Sequence, residues 1–202
     1  MAGDRSEDRE WICIDLTRTR GWRERDRPDD DLVEPADLAS WGAGLGLISE
    51  PETEDLEDWL RGHPQEAQED LAYVRRFRRV LHGVLRASAR GESPDPDSLM
   101  EFNRVLAEGQ AQRRITPENG GFTWSWAEGR PSLRRIAWAA AVSAAELLTS
   151  EMRSRLKACA ADDCGWVFLD HSRNRSRRWC DMSDCGNRAK VRRFRSRHGA
   201  EG

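Results

Sequence analysis

The stretch from 159 to 198 reads CAADDCGWVFLDHSRNRSRRWCDMSDCGNRAKVRRFRSRH, and it decides how the 202-residue chain is interpreted. It holds four of the five cysteines, as the pairs Cys159/Cys164 and Cys180/Cys185, and each pair encloses four residues. Two tight turns that each carry two thiolates supply the four ligands of a closed tetrahedral zinc site. The spacing therefore predicts one structural Zn²⁺ ion held by these four cysteines.

Two disulfides are the alternative, and the composition disfavours them. The chain opens with the polar segment MAGDRSEDRE and shows neither a signal peptide nor the roughly 18 apolar residues of a membrane span. In a reducing compartment, paired cysteines hold metal more often than they form disulfides. We therefore expect a cytoplasmic protein that binds zinc and no membrane. His171 and His198 lie nearby and could substitute as ligands, but each is more simply a polar surface or phosphate-contacting residue. The fifth cysteine, Cys13, is interpreted as a buried core thiol.

The residues around the cysteines predict a small fold organised by the metal. GWVFLD (165–170) reads as a short apolar strand, HSRNRS (171–176) as a polar turn, and residues 177–179 as the returning arm of a hairpin. Good helix formers follow the last cysteine. We expect Val191 and Phe194, three residues apart on that helix, to cover the zinc core. Knuckle, hairpin, knuckle and helix together predict a treble-clef-like zinc finger.

Charge indicates what this finger binds. Residues 171–198 contain ten Lys/Arg and two Asp, a net charge of about +8, whereas the whole chain carries −3. A basic module in an acidic chain points to a polyanionic partner, although a solvated basic face is the simpler alternative. Arginine outnumbers lysine nine to one here, and its planar guanidinium binds phosphates and guanine edges in pairs of hydrogen bonds.

A family resemblance adds to this reading. The motifs CGW-x-F-x-D-x-SRNR-x-RRW and WC-x4-CGNRAKVRR resemble the CGNR zinc finger of bacterial regulators. WICIDLTRT near the start and SAAELL before the finger are similar to the ABATE domain that accompanies it, a domain of stress-induced transcription regulators. The resemblance implies zinc ligation by the four cysteines and DNA contact by the basic segment. The predicted DNA-binding residues are Arg173, Asn174, Arg175, Arg177, Arg178, Asn187, Arg188, Lys190, Arg192, Arg193, Arg195 and Arg197.

The remainder of the chain predicts an α+β protein. We expect a disordered tail over 1–10, a mostly helical domain with a small antiparallel sheet over 11–150, and the basic zinc finger over 151–202. WICIDL (11–16) reads as a buried strand. Helical spacing of apolar residues predicts a long helix over 64–90 and another over 131–149.

Two strands are predicted around the turn PENGG. In the second strand Phe122, Trp124 and Trp126 alternate with small polar residues, so one face is aromatic. The core of a sheet is the favoured explanation, and a ligand pocket lined by Trp124 and Trp126 is the alternative.

Function follows from these parts. The chain has no HExxH, GxSxG or Walker motif, so we do not expect an enzyme. We predict a nucleoid-associated transcription regulator whose finger binds duplex DNA and whose N-terminal domain senses a small molecule or a protein. A homodimer remains open. The alternatives are an RNA-binding module, a protein-interaction adaptor, and a redox switch in which thiol oxidation releases zinc.

Overall fold

The computed structural model describes residues 11–21, 29–127 and 132–198, so the predicted tail over 1–10 lies outside the described part. Seven α-helices and four strands are described there. In chain order these elements are α1 (Ile12–Arg18), α2 (Pro35–Gly44), α3 (Glu50–Gly62), α4 (Pro64–Arg90), α5 (Pro96–Gln112), β1 (Arg113–Glu118), β2 (Gly121–Trp126), α6 (Arg134–Thr149), β3 (Leu156–Ala158), β4 (Val167–Leu169) and α7 (Asn187–His198).

Helix α4 is the centre of the N-terminal part, and α5, α6, α1 and β3 all pack against it. Its ends follow from sequence, because proline is favoured in the first turn of a helix and glycine just past its end. Pro64 opens the helix, and Gly91 ends it in the left-handed conformation with a φ of 71°. One face is buried throughout, from Leu71 to Leu85. The predicted long helix is confirmed.

The strand predicted over 11–16 is wrong, because this segment forms helix α1. Its buried residues are Cys13, Ile14, Leu16 and Thr17, a spacing that draws one face of a helix. A short apolar run fits a strand and a buried helix equally well, so the pattern alone could not separate them. The expectation for Cys13 is confirmed, since its side chain is fully buried.

The four strands form two separate antiparallel hairpins, β1–β2 and β3–β4. Asn119 and Gly120 join β1 to β2 with φ values of 49° and 79°, which is the backbone that an Asn-Gly hairpin turn requires. The second hairpin differs from the prediction. Strand β4 pairs with β3, which precedes the first cysteine, and not with residues 177–179. The first cysteine pair therefore lies within the turn of this hairpin.

Hairpin β1–β2 is exposed, so its expected role as a sheet core is wrong. The side chain of Phe122 is 78% exposed and that of Trp124 is 58% exposed. Trp126 is partly covered, because its ring lies 6.3 Å from that of Trp138 on α6.

Hairpin β3–β4 joins the two parts of the molecule. Leu156, Val167 and Leu169 belong to the helical core, whereas Phe168, on the opposite face, packs with the cysteines. Two polar contacts reinforce the junction. The imidazole Nε2 of His82 lies 2.7 Å from the carbonyl oxygen of Gly165, and the Trp166 indole donates to the carbonyl of Arg20 over 2.8 Å.

No helix within the described ranges is both long enough and apolar enough to cross a membrane.

Candidate metal centre and basic surface

The four predicted zinc ligands converge at one point. The sulfur atoms of Cys159, Cys164, Cys180 and Cys185 all lie within 4.8 Å of one another, and the four side chains are buried. The Cys164–Cys180 and Cys180–Cys185 sulfur distances are 3.7 Å and 3.6 Å. Four sulfurs at about 2.3 Å from a tetrahedral Zn²⁺ would be about 3.8 Å apart. The spacing in the structure thus matches that of a zinc site.

Backbone hydrogen bonds shape the two turns that hold the sulfurs. In the first turn, the Cys159 N–H donates to the carbonyl of Trp166 over 2.9 Å, and the Cys164 N–H donates to that of Ala161 over 3.0 Å. In the second, the Asp181 carboxylate accepts the N–H groups of Ser183 and Asp184 at the start of a single π-helical turn, Met182–Gly186. These bonds define the backbone conformation of the two turns.

The thiol chemistry of the cluster favours a cation. The neighbouring sulfurs of Cys159 and Cys164, together with burial, raise the pKa of Cys180 far above its usual value. Four thiolates cannot share this volume without a positive charge to balance them. A divalent ion supplies that charge. The protein supplies all four ligands, so no coordination position is left open for a substrate. The site therefore fits one structural Zn²⁺.

Arg188 is one of the predicted DNA contacts, and the structure brings it to the metal centre. Its guanidinium donates to the Asp163 carboxylate over 2.9 Å and to the Cys185 sulfur over 3.2 Å, and it lies 3.2 Å from Asp184. A cation beside a thiolate lowers the negative charge of a four-thiolate site. Arg192 also reaches Asp163, at 3.4 Å. These contacts orient α7 against the first turn of the finger.

A buried carboxylate organises the turn that carries the first predicted DNA contacts, here named the arginine loop (171–178). Asp170 is fully buried at the end of β4. It accepts hydrogen bonds from Lys157 Nζ at 2.6 Å, the Ser172 N–H at 3.0 Å and the Arg177 N–H at 2.9 Å. Burial by itself would raise the pKa of Asp170, but the bonds from Lys157 and Ser172 outweigh it and lower the pKa to about 2. The Asp170 carboxylate is therefore charged and is held by hydrogen bonds from Lys157, Ser172 and Arg177.

Lys157 completes this clamp from β3. Its ammonium donates to the carbonyl oxygens of Arg175 and Arg177 as well as to Asp170. Arg175 sits at the turn with a φ of 50°, in the left-handed region. The result is a rigid loop in which Arg173, Asn174 and Arg175 all point to solvent. Sequence reasoning missed both Lys157 and Asp170, although an aspartate directly after an apolar strand and two residues before a serine is a signal for such a turn.

The predicted DNA-binding residues fall into two groups. Arg177 is half-buried, donates to the carbonyls of Trp179 and Cys180, and lies over the Phe168 ring, as a structural side chain would. Arg188 and Arg192 are held by Asp163. The exposed members are Arg173, Asn174, Arg175, Arg178, Asn187, Lys190, Arg192 and Arg195. The side chains of Arg193 and Arg197 lie outside the described part.

Two apolar side chains of α7 depart from expectation. Val191 is 44% exposed and Phe194 is 63% exposed, so the prediction that they cover the zinc core is wrong. The aromatic residues Trp166, Phe168 and Trp179 pack with the cysteines instead. They precede the second cysteine pair, and their order in the chain does not indicate which aromatic groups pack with the cysteines.

The structure also has a polar groove beside α4. An open groove of about 720 Å³ is lined by Glu69, Ala72, Tyr73, Arg76, Val80, Glu101, Arg104 and Arg134. Neither Trp124 nor Trp126 lines this groove. The ligand pocket suggested for these two indoles stays a prediction.

The four-cysteine cluster and the fold around it define a zinc-finger protein. The ABATE family model, described as "Putative stress-induced transcription regulator", matches residues 10–151, and the CGNR zinc finger model matches residues 155–198. Because the ABATE match spans more than half of the chain, this protein belongs to the ABATE family, and it carries a CGNR zinc finger. The resemblance seen in the sequence is confirmed. Neither description names an enzymatic activity. A search of curated proteins found no match.

Proposed function

We propose that this regulator binds duplex DNA through the arginine loop and the exposed side of α7. The observation that carries the proposal is the Lys157–Asp170 clamp, which presents Arg173 and Arg175 on a rigid turn. Side chains on a preorganised loop lose less conformational freedom when they bind phosphates. Lys190 and Arg195 add exposed positive charge on α7, which follows the second cysteine pair directly. Zinc holds the two turns together and so holds both elements in place.

The N-terminal domain, in this proposal, is the regulatory part that receives a ligand or a protein signal. The shared hairpin β3–β4 supports this role, because its two faces belong to the helical core and to the metal cluster. A change in the packing of α4 would reach the arginine loop through two short strands. A nucleoid location follows from DNA binding.

Fluorescence anisotropy with a mixed-sequence duplex across a salt series tests the proposal. We expect the zinc-loaded protein to bind with a steep salt dependence, because each phosphate contact contributes about 0.9 to the slope of log K against log salt. Replacing Arg173 and Arg175 by alanine should lower that slope by about 2 and leave the zinc content unchanged. Asp170→Asn should weaken binding without touching an exposed arginine. The matched control replaces Arg79 and Arg90, two exposed arginines of α4, and should bind as the wild type does.

Three outcomes contradict the proposal. Stronger competition by single-stranded RNA than by duplex DNA favours the RNA-binding alternative. Equal losses in the loop variant and the α4 control show that only net charge matters. No binding at low salt favours an adaptor whose arginines face an acidic protein.

A further inference from the structure

Hairpin β1–β2 has one polar face and one largely apolar face, on which the guanidinium carbon of Arg113 lies 4.0 Å from the centroid of the Trp124 ring. The strand register places Ile115 opposite Trp124 and Pro117 opposite Phe122, all on one side, with Thr116 opposite Thr123 on the other. Ile115 is 61% exposed, Phe122 78% and Trp124 58%. Exposure of a row of large apolar side chains to water is unfavourable in free energy, and such a patch marks an interaction surface.

Within the described residues, the outer backbone edge of β2 is not paired with another strand. The Ala127 N–H donates to the Gln112 carbonyl over 2.7 Å, so this pair is hydrogen bonded. In an antiparallel ladder hydrogen-bonded and non-hydrogen-bonded pairs alternate, so the N–H and C=O groups of Phe122, Trp124 and Trp126 point away from β1. Among the residues that the structure describes, β1 is the single strand paired with β2.

The outer edge of β1 differs. Pro117 occupies one of its outward positions and has no N–H to donate, and β1 also carries Arg113, Arg114 and Glu118. Proline and charge are the devices by which proteins block the pairing of edge strands. Strand β2, GFTWSW, has neither. One edge of the hairpin is closed to another strand, and the other is open.

We propose that β2 pairs antiparallel with β2 of a second copy of this chain, around a two-fold axis. The outward groups of Phe122, Trp124 and Trp126 fix the register. Trp124 then faces the partner's Trp124, and Phe122 faces the partner's Trp126. The pairing makes one four-stranded sheet, whereas a two-stranded hairpin alone is at best marginally stable. Its aromatic rows become continuous on one face.

A second copy fits this edge better than a charged segment of another protein. Strand β2 has no charged side chain, so it offers no ion pair to a foreign strand. An identical strand matches it in length, polarity and face, which is the self-complementarity of a two-fold interface. The inference does not rest on DNA binding by the finger.

Sedimentation velocity over a protein concentration series tests the proposal. We expect the wild-type chain to be dimeric at micromolar concentrations. Phe122→Pro removes one outward N–H, as Pro117 does on β1, and should yield a monomer with unchanged helical circular dichroism and one zinc per chain. Thr123→Ala, on the polar face, is the matched control and should stay dimeric. A wild-type monomer at all concentrations, or a folded Phe122→Pro variant that is still dimeric, overturns the proposal.

A crosslink tests the register even if Phe122→Pro fails to fold. Trp124 faces its own copy across the axis as a hydrogen-bonded pair, with Cα atoms about 5.5 Å apart, within the range of a disulfide. Trp124→Cys should therefore form a covalent dimer under mild oxidation of the zinc-loaded protein. Thr123→Cys faces position 125 of the partner and should not crosslink to itself. Equal crosslinking of the two variants, or of neither, overturns the pairing.

Discussion

The two hairpins of this protein differ in the burial of their side chains. Strands β1 and β2 have six residues each and contain two tryptophans and a phenylalanine, yet most of their side chains are exposed. Strands β3 and β4 have three residues each, and the side chains of β4 are all fully buried. Length and hydrophobicity alone would have predicted the reverse.

The difference lies in what covers each face. Hairpin β3–β4 has the helical core against Val167 and Leu169 on one face and the cysteine cluster against Phe168 on the other. Within the described residues, β1–β2 has such cover at its base, where Trp126 meets Trp138. A metal cluster thus acts as the second layer for strands too short to build a core of their own. Substitutions on either face of a hairpin measure how much each covering layer contributes.

The largest expected effect comes from removing the metal layer. Cys180→Ser takes away a thiolate at the centre of the cluster, so we expect no bound zinc, and structural zinc sites carry about 10 kcal/mol or more of folding free energy. Phe168 would then lose its cover, and amide hydrogen exchange over residues 156–170 should rise strongly while that of α4 stays slow. Zinc analysis and hydrogen exchange by mass spectrometry measure both effects.

The matched control is Cys13→Ala, which removes the remaining cysteine from the helical core. It should keep one zinc per chain. If Cys180→Ser retained zinc with wild-type affinity, another side chain such as His171 would have to complete the site, and the four-cysteine assignment would fail.

A smaller effect is expected on the helical side of the same hairpin. Leu169→Ala deletes a fully buried side chain and should lower the free energy of unfolding by about 2–5 kcal/mol. Ile115→Ala removes a similar aliphatic group from the exposed hairpin and should cost about 0.5 kcal/mol. Urea unfolding of both variants at one protein concentration gives the comparison. Equal losses would mean that β1–β2 is covered as well as β3–β4.

Local features of the sequence predicted much of this structure. The cysteine spacing identified all four members of the cluster, because each pair must reach one ion from a single turn. Pro64 stands at the start of the longest helix and Gly91 just past its end, and both residue types are favoured at those positions. Each of these signals acts over a few residues.

Features that depend on distant neighbours were not predictable. Nothing near Phe122 or Phe194 in the sequence says whether another element will cover it, and both are exposed. The same limit applies to the basic surface. Asp163 and Arg188 are separated by 25 residues and meet only because the zinc-binding turns bring them together. Their pairing gives Arg188 a place at the metal centre that an arginine-rich motif does not reveal.

A pH dependence is expected at the junction between α4 and β3–β4. Burial is the main cause that lowers the pKa of His82 from 6.5 to about 4; the nearby charges of Arg86 and Arg20 act in the same direction, and the contact with the Gly165 carbonyl opposes the shift. The unfolded chain therefore takes up a proton at higher pH than the folded one. Stability should fall as the pH drops from about 6.5 to 4, by at most about 1.4 kcal/mol for each pH unit.

His82→Gln isolates this contribution, because an amide N–H can still donate to the Gly165 carbonyl and does not titrate in this range. We expect the difference in unfolding free energy between variant and wild type to change steadily between pH 6.5 and 4 and to be constant above pH 7. Protonation of the zinc ligands affects both proteins alike and cancels in that difference. If the difference did not vary with pH, His82 could be charged in the folded protein. The helical side of hairpin β3–β4 would then be more accessible to water than its metal side.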